Sequence, residues 1–213
     1  MGCVDLPPDA LGVKLISGII LASASPRRQQ LLQGLGLNFQ VQTSSFEERA
    51  DLSGAARLSP ENLAGSMAEG KARDVASQNP DFLVIAADTV VTAAGRILGK
   101  PRDQQEAGEM LRFLSGKWHQ VHTGLALCHR AAQREALAVE TTMVHFRELS
   151  EEEIVFYVKS GEPMDKAGAY GIQGLGAVLV DRIEGCFFNV MGLPLARLTL
   201  LLKEFGIHLL GGE

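Results

Sequence analysis

Leu21-Ala22-Ser23-Ala24-Ser25-Pro26-Arg27-Arg28-Gln29-Gln30 carries the chain out of an apolar run and into a helix. The residues before it, about 18–22, read as a strand, and about 26–35 read as a helix with Leu31, Leu32 and Leu35 on one stripe and Gly36 as its stop. Ser25 suits an N-cap, and Pro26 is tolerated at the first helical position because its missing N–H has no partner there. Free amides in a first helical turn favour an anion. Arg27 and Arg28 add guanidinium forks shaped for phosphate oxygens. The stretch therefore predicts a strand–turn–helix unit with a polyphosphate at the turn.

Further along, helix and strand patterns alternate. A helix is expected over about 60–78, opened by Ser59-Pro60-Glu61, and an apolar strand over 82–87 ending at Asp88. Val90 and Val91 resume as a strand, and Ala94-Gly95 marks a hairpin turn. Another helix is expected over 103–114, then strands over 117–130 and 134–148. A helix follows from Ser150 to Lys159 with the capping-box pattern Ser150 and Glu153. The glycine-rich run Gly168 to Gly176 reads as lying between short strands, and a last helix is expected over about 190–205. The interleaving gives an α/β class with a mixed sheet. Residues 1–17, with Pro7-Pro8, read as a flexible leader, and 18–213 as a single domain.

The chain has 213 residues, a formal charge of -5 and 46% hydrophobic residues. That length can bury a substantial core. The mild acidity argues against a partner that is a nucleic-acid polymer, so the arginines are aimed at a small phosphorylated ligand. The apolar runs fall short of the ~20 residues a membrane helix needs. Cys3, Cys128 and Cys186 form no close pair, which fits a reducing cytoplasm.

Asp88, at the carboxyl end of an apolar strand, is the candidate catalytic carboxylate, able to bind Mg²⁺, activate water or both; the competing reading is an aspartate that caps a turn. Lys71 falls on the apolar stripe of its helix with Leu63, Ala64, Met67, Ala68 and Val75, so it either snorkels to the rim or meets a buried phosphate or carboxylate. Lys100, before Pro101, and the loop acids Glu47 and Glu48 gain weight only beside Asp88. Gln173 carries an amide that can donate and accept, which suits reading a base edge; the competing reading is a bulged strand pair with Tyr170 and Ile172 in the core. His119 and His122, three apart in a strand, face opposite sides and do not form a metal pair. No P-loop, zinc or Ser-His-Asp pattern is present.

Taken in order, Ser23 to Arg28, Lys71-Ala72, Ala87 to Val91, Gly99-Lys100-Pro101, Leu114-Ser115-Gly116, Thr123-Gly124 and the run Gly161 to Gly176 make the chain similar to the Maf family of nucleoside triphosphate pyrophosphatases, over about residues 18–205. The resemblance implies an elongated α/β fold related to the inosine triphosphate pyrophosphatases, with a mixed central sheet and two lobes around a cleft. It implies hydrolysis of a nucleoside triphosphate to the monophosphate and pyrophosphate, with Mg²⁺ or Mn²⁺. It makes Asp88 the proton acceptor, Ser23, Arg27, Arg28, Glu48, Lys71 and Lys100 substrate-binding residues, and Asp88 with Glu48 the metal ligands. Arg27, Thr89 and Gln173 match the branch that acts on dTTP and UTP. Gly99 stands where many members carry glutamate. The resemblance further implies a housecleaning role in the cytoplasm, a homodimer and a link to cell-division arrest. Its alternative is a non-catalytic nucleotide-binding regulator of septum formation.

Overall fold

The computed structural model describes residues 15–46 and 58–210. Short β1 (Ile19–Leu21) leads through Ser25 into α1 (Pro26–Gly34), and β2 (Gln40–Val41) returns alongside. Then come α2 (Pro60–Gln78), β3 (Leu83–Ala93), β4 (Arg96–Leu98) and α3 (Gln104–Leu114). The long pair β5 (Trp118–His129) and β6 (Arg134–Phe146) is followed by α4 (Glu151–Lys159), a series of 3-10 turns, β7 (Val180–Glu184), α5 (Phe187–Val190) and α6 (Leu195–Glu204). One seven-stranded sheet runs β2-β1-β3-β5-β6-β7, with β4 paired to β3. The β2-β1-β3 ladders are parallel and the others antiparallel, which gives the expected mixed α/β sheet.

Local signals account for many boundaries. Ser150 Oγ accepts from the Glu153 amide and the Glu153 carboxylate accepts from the Ser150 amide, a complete capping box. Ala94 and Gly95 both take positive φ (46° and 76°), as a tight hairpin requires.

Three expectations are corrected, and a fourth lies mostly outside the described residues. The strand expected to stop before Asp88 is one eleven-residue element that runs through it, because β5 pairs with it continuously from Val84 to Thr92. The run 168–176, expected between two short strands, lies in a series of 3-10 turns with a strand, β7, on its C-terminal side alone; Tyr170 and Ile172 are buried as the packing alternative required, without the bulged strand pair. The last long helix begins at Leu195, not near 190: Gly192 at φ +99° and Pro194 separate it from the four-residue α5. The expected leader 1–17 lies outside the described residues except for its end, where Ile16 is buried in the core.

Two of the apolar clusters divide the long strands between them. Leu83, Ile85 and Ala87 of β3 pack with α1 and α6, whereas Val91 and Ala93 pack with α3, α4 and Tyr170. The lobes therefore share β3 and meet at Asp88 and Thr89. A third cluster joins α2 to the opposite face of the sheet through Ala68, Ala72, Val84, Ala86 and Ala126. Among the described residues no helix is long and apolar enough to cross a membrane.

Candidate active site

Beside Asp88 the sheet edge is open. Along one side of β3, β1 pairs only with residues 83–85 and β4 only with 91–93. Ala22 adds one more bond, from its amide to the Ile85 carbonyl, before the chain turns away into Ser23–Ser25. A notch is left along residues 86–90, and α1 begins at its rim.

Asp88 and Thr89 stand next to each other on β3, so their side chains leave opposite faces of the sheet. Asp88 is buried at 8% exposure and forms an ion pair with Lys71 of α2. Lys71 therefore has a carboxylate partner: the inward reading from its helical stripe was correct. Its helix lies unusually close to the sheet. Gly124 is the register partner of Asp88, and a Cβ there would stand 2.1 Å from the Ala64 carbonyl oxygen of α2. Only glycine admits that approach.

On the other face, the Arg28 guanidinium is a strut. Its Nε donates to the Gly192 carbonyl (2.7 Å), Nη1 to Ser23 Oγ (3.1 Å) and Nη2 to Thr89 Oγ1 (3.1 Å). Thr89 Oγ1 lies 3.0 Å from Thr123 Oγ1, and Thr123 donates onward to the Asn189 carbonyl (3.1 Å). Burial lowers the Arg28 pKa, while the Asp88 charge raises it and Arg27 lowers it further. Arg28 stays cationic at any ordinary pH. Ser25 occupies the N-cap position of α1 but its side chain makes no capping bond; its amide donates instead to Ser23 Oγ (3.2 Å). Pro26 has no N–H and the Gln29 amide is bonded to the Ser25 carbonyl (3.2 Å), which leaves the Arg27 and Arg28 amides at the notch.

Arg27 reaches the second lobe, with Nη1 3.8 Å from Asp165 Oδ2. The same segment is tied to the strand-end loop of Lys100, since the Gly168 amide donates to the Gly99 carbonyl (3.0 Å). Lys100 and Gln173 are exposed. The structure thus joins Lys71 to Asp88 and Ser23, Arg28 and Thr89 to one another, and it sets Arg27 and Lys100 around the 165–168 segment. Glu47 and Glu48 lie outside the described residues. The loop leading to them is pinned to α2: Ser44 Oγ (2.6 Å), the Ser45 amide (2.7 Å) and the Phe46 amide (3.2 Å) all donate to Asp74, one turn from Lys71. Those bonds, the Ser44 one foremost, hold the Asp74 carboxyl below its usual range.

The histidines divide as expected. His119 is buried against Tyr170, at 2.7 Å from its hydroxyl, and burial pushes its pKa down to about 4. His122 lies near Thr92 (3.2 Å) and Thr141 (2.9 Å). Among the described residues no three His, Cys, Asp or Glu side chains come together as a metal cage. The Ser23 and Thr89 hydroxyls lie on the other face and are taken up by Arg28, so Asp88 is the oxygen ligand offered on the α2 face; a hard divalent ion shared with substrate phosphates needs only one or two protein carboxylates. Thr123, Asn189 and Gly192 carry no assignment in the sequence reading. Thr123-Gly124 is visible there as a motif, but the partners of Asn189 and Gly192 come from strands and turns far away in the chain.

Residues 18–205 match the family model described as "Maf-like protein". A dTTP/UTP pyrophosphatase of Acetivibrio thermocellus is 48% identical over 199 residues, covering 90% of this chain and 97% of its own length. One from Aquifex aeolicus is 48% identical over 194 residues, with 91% and 97% covered. Among solved structures, a HAM1 protein from Coxiella burnetii superposes with a TM-score of 0.46 at 17% identity, over 87% of this chain and 98% of that one.

Proposed function

The chain belongs to the family of Maf-like proteins, and from that footing we propose that it hydrolyses dTTP and UTP to the nucleoside monophosphate and pyrophosphate. The observation that carries the proposal is the Lys71–Asp88 pair at the notch in the sheet, with α1 opening at its rim.

A triphosphate tail carries about four negative charges, and the free amides of α1 with Arg27, Lys71 and Lys100 are there to offset them. Arg27 exchanges a long contact with Asp165 for a phosphate oxygen. Lys71 turns from Asp88 to the same tail and so releases the carboxylate at the moment substrate is bound. Asp88 then orients a water and takes its proton as the water oxygen bonds to phosphorus. The P–O bond of the α–β bridge breaks and pyrophosphate leaves. Arg28 holds Ser23, Thr89 and the Gly192 turn in place, so that the cradle is built before substrate arrives. Asp88 and Glu48 would hold a Mg²⁺ or Mn²⁺ ion, which when bound neutralises phosphate charge and lowers the pKa of water. Gln173 reads the pyrimidine edge, with Arg27 and Thr89 contributing to base choice. The free thiols of Cys128 and Cys186 suit a reducing cytoplasm.

The test is pyrophosphate release from a panel of nucleoside triphosphates, with the nucleotide product identified. Preferred turnover of dTTP and UTP to monophosphates is expected. Release of inorganic phosphate and a diphosphate, or tight binding with no product, would overturn the proposal.

A further inference from the structure

Gln173 sits on a strip whose two ends are fastened to one carboxylate and one phenol. The Glu162 carboxylate accepts from the Leu175 amide at Oε2 (3.0 Å), and from the Gly176 amide (3.0 Å) and the Tyr157 hydroxyl (3.0 Å) at Oε1. Tyr157 in turn accepts from the Gly171 amide (3.3 Å). The pair therefore grips residues 171 and 175–176, on either side of Gln173. The fit is close. A Cβ on Gly174, whose φ is +66°, would stand 2.7 Å from Glu162 Oε2, and one on Gly176 would stand 2.6 Å from the Tyr157 oxygen. Within the strip, Tyr170 roots in the core of α3 and α4 and Ile172 in the core of α1 and α6. Gln173 itself is exposed, and no residue of the clamp is among those that would touch phosphate.

The geometry points to Glu162, acting with Tyr157, as the positioning residue that sets base choice by holding Gln173 at the waist between the two lobes. This rests on the reading of Gln173 as the base-contacting residue. A carboxylate suits the task because it accepts several bonds at once, and two backbone donors on one ionised group fix a loop more firmly than neutral bonds do. Arranged this way, the amide of Gln173 is oriented before a nucleotide binds, and the orientation does not depend on the triphosphate machinery at Asp88.

The test compares Glu162→Gln, Tyr157→Phe, Gln173→Ala and the double variant Glu162→Gln/Gln173→Ala. For each, kcat and KM are measured with dTTP, UTP and ITP, beside a thermal melt. Glu162→Gln is expected to raise KM for dTTP and UTP about tenfold, the low end of what losing bonds to a charged group costs, and to leave kcat and the ITP values nearly unchanged. Tyr157→Phe, which keeps the ring in its core, should shift preference the same way more weakly. The double variant should be no less selective than Gln173→Ala alone, because both act through one side chain. Equal losses for every nucleotide, or additive losses of selectivity in the double variant, would overturn the assignment and leave Glu162 a purely structural residue. If Glu162→Gln does not fold, Tyr157→Phe carries the same decision. If Gln173→Ala itself leaves preference unchanged, the base-reading role of Gln173 fails instead.

Discussion

Asp88 and Gly124 face each other across the β3–β5 ladder, and the missing side chain of one sets the surroundings of the other. Because Gly124 presents no Cβ, the backbone of α2 at Ala64 and Gly65 rests directly on the sheet, and Lys71, two turns along the same helix, reaches the Asp88 carboxylate. Gly124→Ala should therefore act on catalysis and stability together. A methyl at 2.1 Å from a carbonyl oxygen must push the helix outward. A loss of roughly 3 kcal/mol, read from denaturant unfolding, is expected along with a large fall in turnover.

Asp88→Asn tests the proposed proton acceptor with little change of shape. The amide still offers an oxygen to Lys71 but cannot take a proton from water. Pyrophosphate release should fall by roughly a hundredfold or more while the melting temperature stays close to that of the parent protein. Undiminished turnover would remove Asp88 from the mechanism.

Arg28→Lys separates a strut from a charge. An ammonium cannot serve Ser23, Thr89 and the Gly192 carbonyl at once, since those three bonds use the planar fork. A stability loss of about 2 kcal/mol is expected, with KM for the triphosphate raised even though the charge is kept.

His119 gives the protein an acid-sensitive core. Its pKa is about 4 in the folded chain against an ordinary value of 6.5, so between these values the unfolded chain binds a proton that the folded chain does not. Stability is then full above pH 6.5 and declines as pH falls toward 4, by on the order of 3 kcal/mol in all. His122 is shifted in the same direction, mainly by burial. His119→Phe should therefore flatten part of the decline and not all of it. Unfolding curves collected across this window check the slope.

Chelation distinguishes an ion shared with substrate from a structural one. EDTA should stop pyrophosphate release, and Mg²⁺ or Mn²⁺ should restore it. The melting temperature of the nucleotide-free protein should not move, because among the described residues no cage of ligands holds an ion for the fold.

What was legible in the sequence was local. Ser25-Pro26, the Ser150 and Glu153 box and Ala94-Gly95 each act within a few residues and each stands at the boundary expected of it, although Ser25 holds the N-cap position without a side-chain capping bond. The inward Lys71 was legible too, because one helix wheel is enough to see it. The continuity of β3 through Asp88 was not: a carboxylate in an apolar run looks like an end until the partner strand is known, and that partner lies 36 residues away at Gly124. The Arg28 strut was hidden for the same reason, since its carbonyl partner is 164 residues downstream. The turns of 168–176 resemble strands in sequence because Tyr170 and Ile172 alternate with glycines, whereas the tertiary demand is for two plugs in two different cores.

That last arrangement limits how the molecule can breathe. Two anchors separated by a single residue work as a staple across the lobes, so a hinge rotation of one lobe against the other would shear the strip at Gly171 before it opened the notch. On the proposed mechanism, entry and exit of nucleotide would then turn on side chains such as Arg27, whose contact with Asp165 is long at 3.8 Å, rather than on a gaping jaw.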